Sequence, residues 1–464
     1  MRSVKISGKL TPLFFVFSGG ADLDAQSSTA LAIDSGDTAW MLTSTALVLL
    51  MTAPGLALFY GGLVARRNLL STLMHSFFLL CLISIQWALW GYTLSFGSDI
   101  KGIVGGLDFL FFNGVGQTPG AAATIPHLVF ALYQAMFAVI TVALITGAFA
   151  ERMRFSAFVI FSLLWATVVY DPLAHWVWGN GWLMKMGALD FAGGTVVHVS
   201  SGVSALVAAL MIGKRVGYPD KAFPPHNLTL TLLGGSLLWF GWFGFNSGSA
   251  LAANGLAALA FATTHFAAAA TGLTWAVIEW VHRGKPTVLG AVTGAVAGLV
   301  AITPAAGFVT VPSSLAIGIG AAVFCYLGIN SLKPRFGYDD ALDVFGVHGI
   351  GGAWGALATG IFCTKAVNPA GNDGLFYGNP GQVLIQATGV GAAVGLAAVG
   401  TFLILKLVSV ATPLRVSEEE ELAGLDLALH GEDAYNFMAT QSGVYTHPRE
   451  EVLWRVADNG TRHG

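Results

Sequence analysis

Residues 222–278 read AFPPHNLTLTLLGGSLLWFGWFGFNSGSALAANGLAALAFATTHFAAAATGLTWAVI and contain no Asp, Glu, Lys or Arg. The hydrocarbon core of a bilayer is about 30 Å thick, and a helix needs about 20 mainly apolar residues to cross it. The stretch is therefore long enough for two membrane-spanning helices. Turn-forming Ser, Gly and Asn residues between 247 and 255 predict where the chain reverses.

The rest of the chain has the same character. Of its 464 residues, 55% are hydrophobic and only 10% are charged, whereas soluble proteins carry about 25% charged residues. This composition excludes a basic nucleic-acid binder and an ordinary soluble enzyme. Three widely separated cysteines predict neither a disulfide framework nor a zinc site. We therefore predict an all-α integral membrane protein with eleven spanning helices, near 39–64, 69–96, 126–149, 155–177, 190–212, 228–248, 255–281, 287–304, 313–332, 341–363 and 382–410.

The connections between these helices differ in charge. If the first helix runs inward, the inside connections hold eleven Lys and Arg residues and the outside connections hold three, Lys101, Lys185 and Lys365. Because cytoplasmic connections carry the excess of positive charge, the amino terminus is predicted to lie outside and the carboxyl terminus inside.

The two ends of the chain lie outside the predicted membrane domain, residues 26–413. Residues 1–25 carry three basic residues and a short apolar run, which is typical of a secretory signal peptide, although a disordered amino terminus that is retained explains them equally well. Residues 414–464 are mostly polar and include four consecutive glutamates at 418–421. We interpret them as a cytoplasmic regulatory tail.

Two histidines are predicted deep in the membrane. His198 lies eight residues after Asp190, or about 12 Å from the outer end of the fifth helix, and His348 lies seven residues after Ala341, about 10 Å from the inner end of the tenth. Similar sequences precede both, Asp-Phe-Ala-Gly and Asp-Val-Phe-Gly, in helices of opposite direction. This indicates an inverted repeat of helices 1–5 and 6–10 with a site at its interface, although both aspartates are also plausible helix caps.

One buried histidine alone would more often be structural, and we assign that role to His75; His265 stays undecided. Aromatic residues cluster near the predicted outer face around Trp178 and at 239–245, where an aromatic belt facing lipid headgroups explains most of them. Aromatic rings beside a hydroxyl also hold small cations through cation–π attraction. Composition does not choose between these two interpretations.

Several runs of residues resemble the ammonium transporter family (Amt/Mep/Rh) over 39–436. They are Pro54-Gly55-Leu56-Ala57-Leu58-Phe59-Tyr60-Gly61-Gly62, Gly147-Ala148-Phe149-Ala150-Glu151-Arg152, Asp190-Phe191-Ala192-Gly193-Gly194-Thr195-Val196-Val197-His198, Gly241-Trp242-Phe243-Gly244-Phe245-Asn246, Asp343-Val344-Phe345-Gly346-Val347-His348-Gly349, and the tail Gly424-Leu425-Asp426 with His430-Gly431-Glu432-Asp433-Ala434-Tyr435. Trp178 favours the Amt/Mep branch, because the Rh branch lacks that tryptophan.

The resemblance implies a transporter rather than an enzyme, a homotrimer in the plasma membrane, no cofactor, and methylammonium as a substrate analogue. It also implies a PII-type signal protein as a partner at the cytoplasmic face and assigns roles to ten residues. Substrate binding falls to Trp178, Ser249, Phe137 and Tyr170, the gate to Phe137 and Phe245, the pore and proton relay to His198 and His348, and structural support to Asp190, Asp343 and Thr303.

The family resemblance has two departures and leaves competing functions. Gln134-Ala135-Met136 precedes Phe137 where relatives often have smaller residues, which could alter the packing below the gate. Asp171 stands where relatives commonly have an apolar residue, and we interpret it as an interfacial acid or as an extra attractor for cations. The expected mechanism recruits ammonium as a cation, removes one proton and passes ammonia through the apolar lumen. The alternatives are a redox protein with His198 and His348 as haem or metal ligands, an Rh-type gas channel, and an ammonium sensor that does not transport.

Overall fold

The computed structural model describes residues 32–435, and these form a bundle of helices with one short hairpin. The hairpin pairs β1 (Asp99–Ile100) with β2 (Val104–Gly105) in antiparallel fashion. The bundle helices are α1 (Ser35–Leu63), α2 (Arg66–Phe96), α3 (His127–Phe149), α4 (Phe155–Met186), α5 (Gly194–Ile212), α6 (Leu228–Ala250), α7 (Gly255–Arg283), α8 (Val288–Ile302), α9 (Val311–Phe336), α10 (Ile350–Phe362, preceded by a π-helical turn, Phe345–Gly349) and α11 (Gly381–Ala411). A short tail helix, α12 (Glu418–Ala423), follows.

Side chains that accept backbone hydrogen bonds set several of the helix starts. Asn254 accepts from the N–H groups of Leu256 and Ala257 at the start of α7, as the turn between 247 and 255 predicted. Thr287 and Thr310 cap α8 and α9 in the same way. Each side chain satisfies N–H groups that have no partner within the helix, which is why short polar residues occur at these positions.

Nine helices in the described part of the chain are long and apolar enough to cross a membrane, and α8 is a shorter apolar helix. Large apolar side chains cover their outward faces: Leu384 is 71% exposed and Val410 is 86% exposed on α11. Such surfaces are stable next to lipid rather than water. The tenth helix begins later than predicted, at 345 instead of 341, because Asp343 adopts a left-handed conformation with φ of 59°.

The two ends of the bundle are built differently. One end, named the Trp178 end, carries the hairpin and the break in α4 that follows Trp178. The other, named the tail end, carries α12 and a buried ion cluster in which Arg215 contacts Glu151 at 2.7 Å and Asp339 at 2.8 Å. The predicted signal peptide, residues 1–25, and the tail beyond residue 435 lie outside the described residues.

The tail is bound to the bundle by specific hydrogen bonds. The carboxylate of Asp426 accepts from the N–H groups of Leu70 and Ser71, at 3.0 and 2.8 Å, and so caps the first turns of α2. The Asn68 side chain accepts from the N–H of Leu425 at 2.8 Å. The start of the tail therefore forms part of the folded unit.

Candidate functional site

The start of α5 is organised by the buried carboxylate of Asp190. Its Oδ1 accepts from the N–H groups of Gly193 and Gly194, both at 2.7 Å, and its Oδ2 accepts from Thr195 and Val196 at 2.8 and 3.1 Å. A negative charge at a helix start is also favoured by the helix dipole. The cap fixes the π-helical turn Gly194–Val199, which carries His198.

The start of α10 is organised by Asp340 rather than by Asp343. Asp340 is buried, and its Oδ2 accepts from the N–H of Phe345 at 2.7 Å. Asp343 instead contacts Lys333 at 2.5 Å and is partly exposed. The supporting position that the sequence pattern assigned to Asp343 is therefore occupied by the carboxylate three residues earlier. Burial raises the pKa of Asp340 to about 6, against the lowering effect of Lys333.

The two predicted histidines meet in the middle of the bundle. Their Nδ1 atoms lie 3.2 Å apart, and the ring centroids lie 5.2 Å apart at an interplanar angle of 28°. Because a hydrogen bond needs one donor and one acceptor, one Nδ1 carries a hydrogen and the other accepts it. The contact depends on close helix packing, since a Cβ at Gly202 of α5 would lie 2.1 Å from the backbone of Gly349.

The imidazole pair lines a narrow, mostly apolar cavity of about 10 Å³. That volume holds the centre of about one water-sized molecule. The ring of His198 stacks on Trp242, at 5.4 Å between centroids, and the indole N–H of Trp242 donates to Thr303 at 2.9 Å. Thr303 therefore positions a wall of this lumen. The remaining lining is aliphatic and aromatic, with Tyr60 as a further polar residue.

Two phenylalanines lie between the lumen and the Trp178 end. The rings of Phe137 and Phe245 lie 4.2 Å apart at 33°, and both are buried. Phe245 also lies 6.1 Å from the ring of His198, so the lumen begins directly behind this pair. On the opposite side Phe137 meets Trp178 edge to face, at 5.9 Å. The side chains thus form a continuous series from Trp178 to the histidines.

A larger cavity of about 200 Å³ opens at the Trp178 end, and Trp178, Phe137, Ser249 and Asp190 are among its lining residues. The indole N–H of Trp178 donates to the carbonyl oxygen of Asp190 at 2.9 Å, which fixes the ring. The Ser249 hydroxyl lies 2.9 Å from the carbonyl oxygen of Phe245. Since backbone N–H groups occupy both carboxylate oxygens of Asp190, the cavity presents aromatic faces and a hydroxyl rather than a free charge.

Tyr133 is a residue of this region that the sequence did not reveal. Its hydroxyl lies 3.2 Å from the Ser249 hydroxyl and also contacts the carbonyl oxygens of Gly244 and Phe245, at 2.9 and 2.7 Å. It therefore holds the chain at the end of α6 where Ser249 is presented. Tyr133 lies within an apolar helix, so no local pattern distinguishes it from a core residue.

Tyr170 and Asp171 lie away from the large cavity. Tyr170 is fully buried and packs against Trp87, with ring centroids 6.3 Å apart. Asp171 is also fully buried, and its Oδ2 accepts from the Gln86 side chain at 2.7 Å. The interpretation of Asp171 as an interfacial acid is therefore wrong, because the carboxyl group is enclosed between α2 and α4. Its Oδ1 has no hydrogen-bond partner within the described chain.

Fold and site together have the features of a multi-pass membrane protein with a narrow transport pathway. Residues 39–435 match the Ammonium Transporter Family. The chain is 57% identical over 401 residues to an ammonium transporter of Bacillus subtilis, and the aligned region covers 86% of this chain and 98% of that protein. The chain therefore belongs to the ammonium transporter family, a family of transporters and not of enzymes.

Solved structures agree with this assignment. Mep2 of Saccharomyces cerevisiae superposes with a TM-score of 0.78 at 38% identity, covering 86% of this chain and 94% of that chain. A structure titled "Sensor Amt Protein" superposes with a TM-score of 0.79 at 30% identity, covering 85% and 98%. The predicted family and the all-helical membrane architecture are thus confirmed.

Proposed function

We propose that the chain transports ammonium, and that its pathway runs from the large cavity at Trp178, past Phe137 and Phe245, to the imidazole pair. The observation that carries the proposal is the continuous series of close contacts linking these groups. The aromatic cavity, the ring pair and the histidines lie in the order that a cation-recruiting, ammonia-conducting pathway requires.

Recruitment acts on the charged form of the substrate. Ammonium is attracted to the face of Trp178 by cation–π interaction and donates a hydrogen bond to the Ser249 hydroxyl. Asp190, whose carboxylate is already bonded to backbone N–H groups, serves as structural support. Potassium has the same charge and a similar size, so the cavity alone does not separate the two ions. Selection therefore depends on the segment of the pathway beyond the ring pair.

Passage beyond Phe137 and Phe245 favours ammonia over an intact ion. The lumen cavity of about 10 Å³ is lined mainly by apolar side chains and offers no carboxylate or carbonyl ring to replace a hydration shell. Loss of one proton converts ammonium into a neutral molecule that the lumen tolerates. Because the Nδ1 atoms of His198 and His348 share one hydrogen, the pair both donates and accepts hydrogen bonds and offers a path for the released proton.

The proposed arrangement in the membrane follows from charge and family. We propose eleven spanning helices with an inverted repeat of helices 1–5 and 6–10, the amino terminus outside, and import toward the tail end of the bundle. The capping aspartates, Asp190 and Asp340, support the repeat because each precedes a π-helical turn with its histidine. We propose further that the protein is a homotrimer in the plasma membrane whose tail, 414–464, contacts a PII-type signal protein.

Two other functions are weaker. A haem held by both histidines does not fit, because the lumen cavity is only about 10 Å³ and the two Nδ1 atoms face each other at 3.2 Å. An ammonium sensor is the second candidate, since one similar structure carries that title. Uptake of ammonium or methylammonium into vesicles containing the purified protein distinguishes a transporter from a sensor, because a sensor that only binds produces no uptake.

The recruiting role is tested with Trp178→Leu. Cation–π attraction is worth about 0.5–2 kcal/mol, so we expect the ammonium concentration for half-maximal uptake to rise about two- to thirtyfold, with the maximal rate preserved because the lumen is unchanged. Trp176→Leu is the matched control: Trp176 lies on the same helix and bonds the Ile103 carbonyl oxygen at 2.7 Å, outside the cavity. An unchanged half-saturation in folded Trp178→Leu would remove Trp178 from the site.

A further inference from the structure

His175, one helical turn before Trp178, has two hydrogen-bond partners that only accept. Its side chain is fully buried. Nδ1 lies 3.0 Å from the carbonyl oxygen of Ser95, and Nε2 lies 2.9 Å from Oδ1 of Asp99. The other carboxylate oxygen of Asp99 accepts from Lys185 at 2.6 Å. No step of the proposed transport pathway uses this group of side chains.

The partners of the His175 ring fix its position. Burial raises the pKa of Asp99, but hydrogen bonds from His175, Lys185 and the N–H of Gly102 outweigh it and hold that pKa below its usual value. Asp99 is therefore an ionised acceptor, and a carbonyl oxygen is always an acceptor. The ring is thus held between the Ser95 carbonyl oxygen and the Asp99 carboxylate, one on each nitrogen.

The same residue fixes the turn that follows Trp178. Its carbonyl oxygen accepts from the N–H groups of Gly179 and Gly181, at 3.0 and 2.9 Å. Gly179 fits tightly, since a Cβ there would lie 2.0 Å from the Ser95 carbonyl oxygen and 2.6 Å from the His175 ring. The side chain of His175 thus joins the end of α4 to the hairpin segment, while its backbone closes the turn at the last helical residue, Trp178.

We infer that His175, held by Asp99, is a positioning residue that fixes Trp178 at the mouth of the pathway. The inference rests on the proposed recruiting role of Trp178. His175 does not line the large cavity, so its effect on the substrate passes through the geometry of α4. Loss of its bond to Asp99 should therefore weaken recruitment and leave passage through the lumen unchanged.

Two substitutions separate the two bonds of the ring. His175→Asn places an amide N–H near the former position of Nδ1, so it keeps the bond to Ser95 and loses the bond to Asp99. His175→Gln places the amide N–H near the former position of Nε2, so it keeps the bond to Asp99. We expect half-saturation for ammonium uptake to rise about two- to tenfold in His175→Asn, below the loss in Trp178→Leu, and less than about twofold in His175→Gln. Maximal rates per folded protein stay at the parent value in both.

Controls distinguish positioning from charge and from general stability. Lys185→Met removes the exposed cation of the group, and we expect half-saturation to remain that of the parent. A half-saturation below the parent value in His175→Gln would overturn the inference in favour of simple charge repulsion. Should His175→Asn fail to fold, Asp99→Ala breaks the same bond from the other side and is measured against His175→Gln.

Combining the substitutions gives the decisive comparison. If His175 acts only through Trp178, the double variant His175→Asn/Trp178→Leu should have the half-saturation of Trp178→Leu alone, within about twofold. Multiplying effects, or a fall in maximal rate at unchanged half-saturation, would overturn the inference. If Trp178→Leu raises half-saturation and His175→Asn does not, the inference about His175 is wrong while the recruiting site stands. No effect of Trp178→Leu defeats the recruiting site itself.

Discussion

Replacing Asp190 by Asn should unfold the start of α5 at a predictable cost. The carboxylate accepts four backbone N–H groups, two on each oxygen. An amide keeps one oxygen and puts an NH₂ group in place of the other, so two buried N–H groups lose their acceptor and face a donor. A buried polar group left without its partner costs about 1–3 kcal/mol. The expected loss in the free energy of unfolding is therefore about 2–6 kcal/mol.

The effect on transport depends on the groups that the cap supports. The turn that Asp190 holds carries His198, and the Asp190 carbonyl oxygen accepts from the Trp178 indole. We expect Asp190→Asn to lower both the maximal rate and the apparent ammonium affinity, because the histidine pair and the recruiting ring both shift. Unfolding of purified protein in detergent, induced by chemical denaturant or heat, measures the first effect, and uptake per folded molecule measures the second.

Asp343→Asn is the matched control for Asp190→Asn. Asp343 contacts Lys333 in a partly exposed pair, and within the described residues its carboxylate accepts from no N–H of the helix start. A partly exposed ion pair is worth about 0–1 kcal/mol, so stability and uptake should stay near the parent values. If Asp190→Asn cost no more stability than Asp343→Asn, the capping bonds would not be the interactions that hold α5.

Two further predictions concern the lumen and the tail. Substituting His198 or His348 by Asp or Glu should preserve the fold yet let potassium pass or compete, because a carboxylate offsets part of the dehydration cost of an intact cation. Uptake of ammonium measured with and without potassium tests this. Full exclusion of potassium by folded variants would contradict the apolar-lumen mechanism. Truncation after Arg415 removes the Asp426 cap on α2 and should leave an assembled oligomer with sharply reduced or unregulated transport; unchanged uptake and unchanged response to a PII-type protein would refute it.

The sequence was sufficient for features that depend on composition and spacing. Charge-free stretches located the helices, since few polar residues are tolerated in hydrocarbon. Counting residues from each helix start placed His198 and His348 at similar depth, and the structure brings their rings together. The turn between 247 and 255 was identifiable from its run of Ser, Gly and Asn residues, and the structure shows Asn254 capping the helix that follows it.

Features that depend on contacts between distant segments were not predictable. Asp340 and Asp343 both precede the histidine of α10, and only the left-handed backbone at Asp343 and its contact with Lys333 show which one caps the helix. Asp171 stands where relatives commonly have an apolar residue, which suggested an interfacial acid or an extra attractor for cations, yet its partner, Gln86, comes from another helix. Tyr133 gave no local signal at all.

The placement of the acidic residues fits the proposed mechanism, in which two histidines line the lumen. Asp190 and Asp340 both lie buried beside the helices that carry the pair, and each directs its carboxylate at backbone N–H groups of a helix start. The carboxylate of Asp190 stabilises the helix but offers little to a passing cation, because both of its oxygens already accept hydrogen bonds, and Asp340 does not line the lumen cavity. In the proposed pathway, the imidazoles of His198 and His348 supply the polar contacts of the lumen. The proposed pathway therefore has polar groups for ammonia at its centre and no free negative charge there for potassium.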